Sequence, residues 1–155
     1  MKLISHRGNT NGCFGRHENK PTYIDIAIER GFDVEVDIWF RDDKLWLGHD
    51  TPDYELNLSW LKARKDNLWI HVKNFEALHF FVDLDWARVF YHQFEKHTII
   101  NNCGIIWSHD LTEASTKSII PLLSLDEVNK WKEHEVNGFT KDVYGVCSDY
   151  VDKFK

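Results

Sequence analysis

The chain lacks a CxxC pair and has only three cysteines, Cys13, Cys103 and Cys147, all far apart. An odd, scattered set makes poor material for a disulfide framework, so they read as reduced thiols of a cytoplasmic protein. No apolar run is long enough to span a bilayer. Residues 1–8 hold neither an apolar core segment nor a cleavage site, so no secretory leader is expected. Basic residues are in deficit: 19 Lys and Arg against 25 Asp and Glu leave a net charge of −6. That balance argues against a broad nucleic-acid-binding face, which needs a Lys- and Arg-rich surface. It leaves room for a small basic pocket that takes one phosphate group. Repeats, linkers and low-complexity tracts are also absent. One domain over residues 1–155 is expected.

What is present is apolar and aromatic. A hydrophobic content of 43% is enough for a core. Seven Trp imply dense packing or an aromatic-lined pocket. Residues 2–6 read as a short buried strand, and 8–15 as a Gly- and Asn-rich loop. Pro21 opens a helix whose Ile24, Ala27 and Ile28 share helical spacing, and Gly31 ends it. Residues 32–40 form the clearest strand, with Val34, Val36 and Ile38 alternating with Asp33, Glu35, Asp37 and Trp39. A turn at 41–44 leads to an extended segment at 45–47. Further strands are expected at 68–73, 88–92, 105–107, 118–123 and 144–150. Helices are expected at 60–65, 75–84 and 125–134, the last with Ser124 as N-cap. Strands and helices that alternate in this way imply a parallel α/β sheet or barrel.

Four fragments place reactive side chains at or beside strand ends: His6-Arg7-Gly8, Glu35-Val36-Asp37, His49-Asp50 and His71-Val72-Lys73. Side chains alternate along a strand, so Glu35 and Asp37 point the same way. Two carboxylates on one buried face need positive charge between them. A hard divalent cation supplies it, and so would Arg or Lys side chains. His6 and His49 flank this pair, as phosphodiester cleavage requires a base and an acid near neutral pH. Arg7 suits a phosphate oxygen. Lys73 suits developing phosphate charge. His71 shares a face with Lys73 and reads either as a neutral metal ligand or as a hydrogen-bonded core residue. His92 and His109 lie near the ends of later strands, where they can approach the same pocket, and are expected to do no chemistry.

The set Ser5-His6-Arg7-Gly8, Glu18-Asn19, Glu35-Val36-Asp37 and Gly48-His49-Asp50 resembles the glycerophosphodiester phosphodiesterases. These belong to the superfamily of phosphatidylinositol-phospholipase-C-like phosphodiesterases. The segment Tyr144-Gly145-Val146-Cys147-Ser148-Asp149-Tyr150 is similar to the family's final strand, whereas residues 75–142 match weakly. The resemblance implies a TIM-type (β/α) barrel with its site at the C-terminal strand ends. It implies that His6 and His49 are the acid/base pair, that Arg7 binds phosphate, and that Glu35 and Asp37 bind Mg²⁺ or Ca²⁺. It also implies a phosphoric diester hydrolase acting on a glycerophosphodiester or related small phosphodiester.

Two departures stand out. The family carries a carboxylate two residues before the lysine of its third strand, where this chain has His71, a change expected to weaken the metal, to move the preference towards a metal that tolerates nitrogen, or to abolish binding. Moreover, a full barrel takes about 250 residues. A compact, reduced barrel is expected, either incomplete or completed by the partner of a homodimer. Three functional classes follow: a metal-assisted phosphodiesterase, a non-catalytic domain of the same fold that binds a phosphorylated ligand, and a metal-independent lyase using the two histidines and Lys73.

Overall fold

A computed structural model describes residues 1–136 and 142–155. Among these residues, ten strands and four α-helices form one mixed α/β unit whose sheet curls into a half-barrel. Strand β1 (Lys2–His6) leads through helix α1 (Pro21–Glu29) to β2 (Asp33–Arg41). A meander of β3 (Lys44–Leu47) and β4 (Tyr54–Leu56) extends β2, and α2 (Leu58–Ala63) returns the chain to β5 (Leu68–Val72). Helix α3 (Phe75–Phe81) precedes β6 (Val89–Phe90). Strands β7 (His97–Ile100) and β8 (Ile105–Ser108) form a hairpin. A 3-10 turn (Leu111–Glu113) leads to β9 (Ser118–Pro121), and α4 (Leu125–Val136) precedes β10 (Gly145–Ser148).

Strand β1 pairs in parallel with both β2 and β10, the pairing that brings the two ends of the chain together. Strands β5 and β6 extend one side in parallel, and β9 and β8 the other. The amide of Asn101 donates to the carbonyl of Val89 at 2.7 Å, joining the far side of the sheet back to β6. The strands expected from sequence are all present, though several are shorter, and β6 keeps only two residues. Strands β4 and β7 were not expected. Both are short and antiparallel to their neighbours, so neither carries the long alternating run that marks a strand in sequence.

Alternation decides what the curled sheet encloses. Val34, Val36 and Ile38 of β2 face outward and pack with Ile24 and Ala27 of α1 and Ala77 and Phe81 of α3. On the concave side, Ile4, Trp69, Phe90, Ile100, Ile105, Trp107, Ile119 and Cys147 form one buried cluster. Strands β1 and β5 to β10 each present an apolar residue inward, and the next inward position lies two residues on. For β1, β5, β6 and β8 that next residue is His6, His71, His92 and His109. The polar layer is a consequence of strand periodicity acting on several strands at once.

Helix ends are set by local chemistry. The side chain of Asn74 accepts from the Ala77 amide at 3.2 Å and caps α3. Ser124 and Glu127 form a reciprocal capping box at α4, as Ser124 was expected to do. Gly31, with φ of 87°, follows Arg30, the residue that caps α1, and is its left-handed stop. No helix among the described residues is long and apolar enough to cross a membrane.

Candidate active site

The candidate residues converge at one end of the sheet. His6, Arg7, Glu35, His49 and His71 line a cavity of about 140 Å³, together with His92, Trp107 and His109. A neighbouring cavity of about 250 Å³ is lined by Arg7, Glu18, Asn19, His49 and Asp50. The two lobes share Arg7 and His49. A larger cleft of about 450 Å³ lies elsewhere, between Trp39, Arg41 and Asn74, and none of the candidate residues lines it.

Glu35 and Asp37 are the centre. Both are buried, on the inner face of β2. Parallel pairing sets Asp37 directly opposite His71 of β5. Asp37 Oδ1 lies 3.0 Å from His71 Nδ1 and 3.4 Å from Lys73 Nζ, and Asp37 Oδ2 lies 2.9 Å from Arg7 Nε. Burial alone would raise the Asp37 pKa, but His71, Arg7 and Lys73 outweigh it and hold the group well below the usual carboxylate range. Glu35 goes the other way. Burial and the neighbouring Asp37 raise its pKa, with His6 and His71 opposing. Glu35 Oε1 lies 3.7 Å from His71 Nδ1, and Oε2 lies 3.8 Å from His6 Nε2.

The loops around this centre are built for position. Asn19 donates to Asp37 Oδ2 at 2.8 Å and accepts from the Asp37 amide at 2.9 Å. Arg7 is held between Asp37 and Glu18, with Nη1 donating to Glu18 at 3.1 Å. Arg7 and Asn19 adopt left-handed backbone, with φ of 54° and 58°. A buried network holds both residues in a sparsely populated conformation, as is common at functional sites. Gly48 has φ of 150°, and a Cβ there would collide with the Thr51 carbonyl. The turn that presents His49 therefore needs glycine.

The two histidines sit in contrasting surroundings. His6 is buried, and its Nδ1 lies 2.8 Å from Asp149 Oδ1. Burial would lower its pKa, but the bond to Asp149 and the charge of Glu35 prevail and raise it. His49 is partly exposed and lies beside Asp50 at 2.7 Å. Its pKa is lowered, first by desolvation and then by Arg7.

Glu35, Asp37 and His71 could hold a metal ion. Glu35 Oε2 is buried without a hydrogen-bond partner, which is costly unless a positive group satisfies it, whereas Asp37 Oδ1 already faces His71 and Lys73. One ligand atom each from Glu35, Asp37 and His71 lies within 4.8 Å of the others.

Some site residues escaped the sequence reading. Asp149 orients His6, yet in sequence it is only part of a strand-end Asp-Tyr pair. His92 and His109, whose strand-end positions allow an approach to the pocket, do line the cavity, and they stack with ring centroids 4.2 Å apart. The available signal was spacing, since each follows an inward aromatic residue by two positions.

No protein-family model, curated protein or solved structure matches the chain. The functional reading therefore rests on the site itself.

Proposed function

We propose that this chain is a metal-assisted phosphodiesterase of the reduced (β/α)-barrel type, acting on a glycerophosphodiester or a related small phosphodiester. The observation that carries the reading is the placement of His6 and His49 on one cavity with Glu35, Arg7 and His71. Glu35, Asp37 and His71 would hold the divalent ion, which supplies Lewis-acid stabilisation of phosphoryl charge.

The protein's own groups account for the remaining chemistry. His6, with its raised pKa, keeps a proton near neutrality and donates it to the departing alcohol oxygen. His49, with its lowered pKa, is neutral and accepts a proton from the attacking water or substrate hydroxyl. Asp149 fixes the His6 ring through Nδ1, which leaves Nε2 for the transferred proton. Arg7 and Lys73 receive the non-bridging phosphate oxygens. The two lobes that meet at Arg7 and His49 give each half of a diester its own space.

The test is turnover of glycerophosphodiesters and of a chromogenic bis-phosphodiester, with and without added divalent metals. Activity that disappears in His6→Ala and His49→Ala supports the assignment. Phosphate-ligand binding without turnover under any metal would favour the non-catalytic domain. Turnover that survives exhaustive chelation would favour the metal-independent lyase.

A further inference from the structure

The geometry points to a borderline transition ion, Zn²⁺, as the preferred occupant of the Glu35–Asp37–His71 site, with the Nδ1 of His71 as its nitrogen ligand. This rests on the phosphodiesterase reading and specifies its metal.

The orientation of His71 carries the inference. Its Nε2 lies 3.1 Å from the backbone carbonyl of His92. A carbonyl oxygen only accepts, so Nε2 bears a proton. In the neutral ring the lone pair is then on Nδ1. That atom faces Asp37 Oδ1 at 3.0 Å and Glu35 Oε1 at 3.7 Å. A bare lone pair aimed at two carboxylates would repel both, so in the metal-free protein Nδ1 carries a proton toward Asp37, and a metal ion that displaces that proton meets all three ligand atoms within 4.8 Å of one another. A backbone carbonyl on the far ring nitrogen is the usual support of a metal-bound imidazole. Phe90 stacks on the His71 ring at 5.0 Å and 4°, which fixes its plane.

Charge sets the class of ion. Arg7 and Lys73 already share Asp37, at 2.9 Å and 3.4 Å. Glu35 is contacted only by histidines among the described ion pairs, and its Oε2 is buried without a hydrogen-bond partner. The site thus offers one largely uncompensated carboxylate, one compensated carboxylate and one nitrogen. Mg²⁺ and Ca²⁺ favour oxygen donors throughout. Mn²⁺ falls with them, whereas Zn²⁺ accepts a mixed imidazole and carboxylate set and gains from the nitrogen.

The experiment measures metal binding on chelator-stripped full-length protein. ZnCl₂, MnCl₂, MgCl₂ and CaCl₂ are titrated calorimetrically at one pH into wild type, His71→Ala, His71→Glu and the Glu35→Gln control. The control removes the site and so corrects for binding at exposed thiols or other histidines. Wild type should bind one Zn²⁺ more tightly than Mn²⁺, Mg²⁺ or Ca²⁺. His71→Ala should weaken that ion by at least about tenfold, since losing a ligand costs no less than losing its support. His71→Glu should narrow or reverse the preference. Co²⁺-loaded wild type should show a hyperfine-shifted, exchangeable imidazole N–H resonance that is missing from His71→Ala. Equal affinity for all four ions, or a Zn²⁺ affinity unchanged in His71→Ala, overturns the inference. Circular dichroism and thermal melting identify a variant that has not folded, in which case His71→Gln takes its place. Turnover is assayed separately. Inactivity with every metal defeats the phosphodiesterase reading and leaves the binding result standing. Activity with selective Mg²⁺ binding defeats the metal class alone.

Discussion

His6 Nδ1 and Asp149 Oδ1 are 2.8 Å apart, although 143 residues separate them in the chain. The contact follows from the pairing of β1 with β10, where Ser5 lies opposite Ser148. Each strand then delivers its next polar residue to the same end of the sheet. Asn9 also donates to Asp149 Oδ1, at 2.8 Å, so the carboxylate is fixed from two sides.

That contact predicts how His6 titrates. Burial pulls its pKa down, and Asp149 and Glu35 pull it up. Asp149→Asn removes one of the opposing charges, so the His6 pKa should fall in the metal-free protein. Chemical-shift titration of the His6 ring in wild type and Asp149→Asn checks this. An unchanged midpoint would mean that Asp149 positions the ring without tuning it.

The contrast between His6 and His49 predicts a bell-shaped dependence of kcat/KM on pH. The rising acid limb belongs to His49, which must lose its proton and does so below 6.5. The falling alkaline limb belongs to His6, which must keep its proton and does so to above 6.5. His6→Ala and His49→Ala should each lower turnover by about 10²–10⁴-fold. More telling is the profile of the residual activity. His49→Ala should lose the acid limb and His6→Ala the alkaline limb. The opposite pattern would exchange the two roles.

Asn19 predicts a stability effect inside the site. It is buried and makes both a donor and an acceptor bond to Asp37. Asn19→Ala leaves the Asp37 amide buried and unpaired, at a cost of about 1–3 kcal/mol. The substitution also places Ala in a left-handed conformation that Asn tolerates better. Asn19→Asp keeps an acceptor for the amide but sets a second carboxylate against Asp37, and should be no more stable than Asn19→Ala. Urea unfolding of the three proteins measures the order. Wild-type midpoints in Asn19→Ala would show that the loop holds Asp37 by other means.

The legible part of this site is the part written in short-range periodicity. Val34, Val36 and Ile38 alternate with Asp33, Glu35 and Asp37, and that alone puts the carboxylates on one face. His71 and Lys73 follow the same rule. The illegible part depends on which strands become neighbours. Nothing local says that Asp149 will meet His6, because β10 reaches β1 only through the fold. Strand β7 is similarly hidden, since His97–Ile100 gains its partner from a hairpin with β8. His92 and His109 look like isolated histidines until the sheet curls and stacks them. The mixed topology has the same origin. Between β6 and β9 the chain runs through the β7–β8 hairpin and the 3-10 turn at Leu111–Glu113 and forms no α-helix.

The stacked histidines predict a weakness in acid. His109 has its pKa lowered to about 4, by desolvation and then by His92 and His71. Trp107 Nε1 donates to His109 Nε2 at 3.2 Å, and protonation of Nε2 would forfeit that acceptor. The unfolded chain takes up this proton near 6.5, and the folded chain near 4. Between those values the unfolded state binds more protons, so acidification favours unfolding. The loss therefore develops as pH falls from 6.5 to about 4 and grows no further below that. His6, with its raised pKa, works in the opposite sense: its stabilisation is present below 6.5 and is lost as pH rises through the folded value. His109→Gln keeps an acceptor for Trp107 and cannot titrate. Urea midpoints from mildly alkaline to acid pH should therefore fall less steeply in His109→Gln than in wild type. Parallel slopes would show that the partly exposed ring takes up its proton without unfolding the chain, and would move the acid sensitivity to other groups.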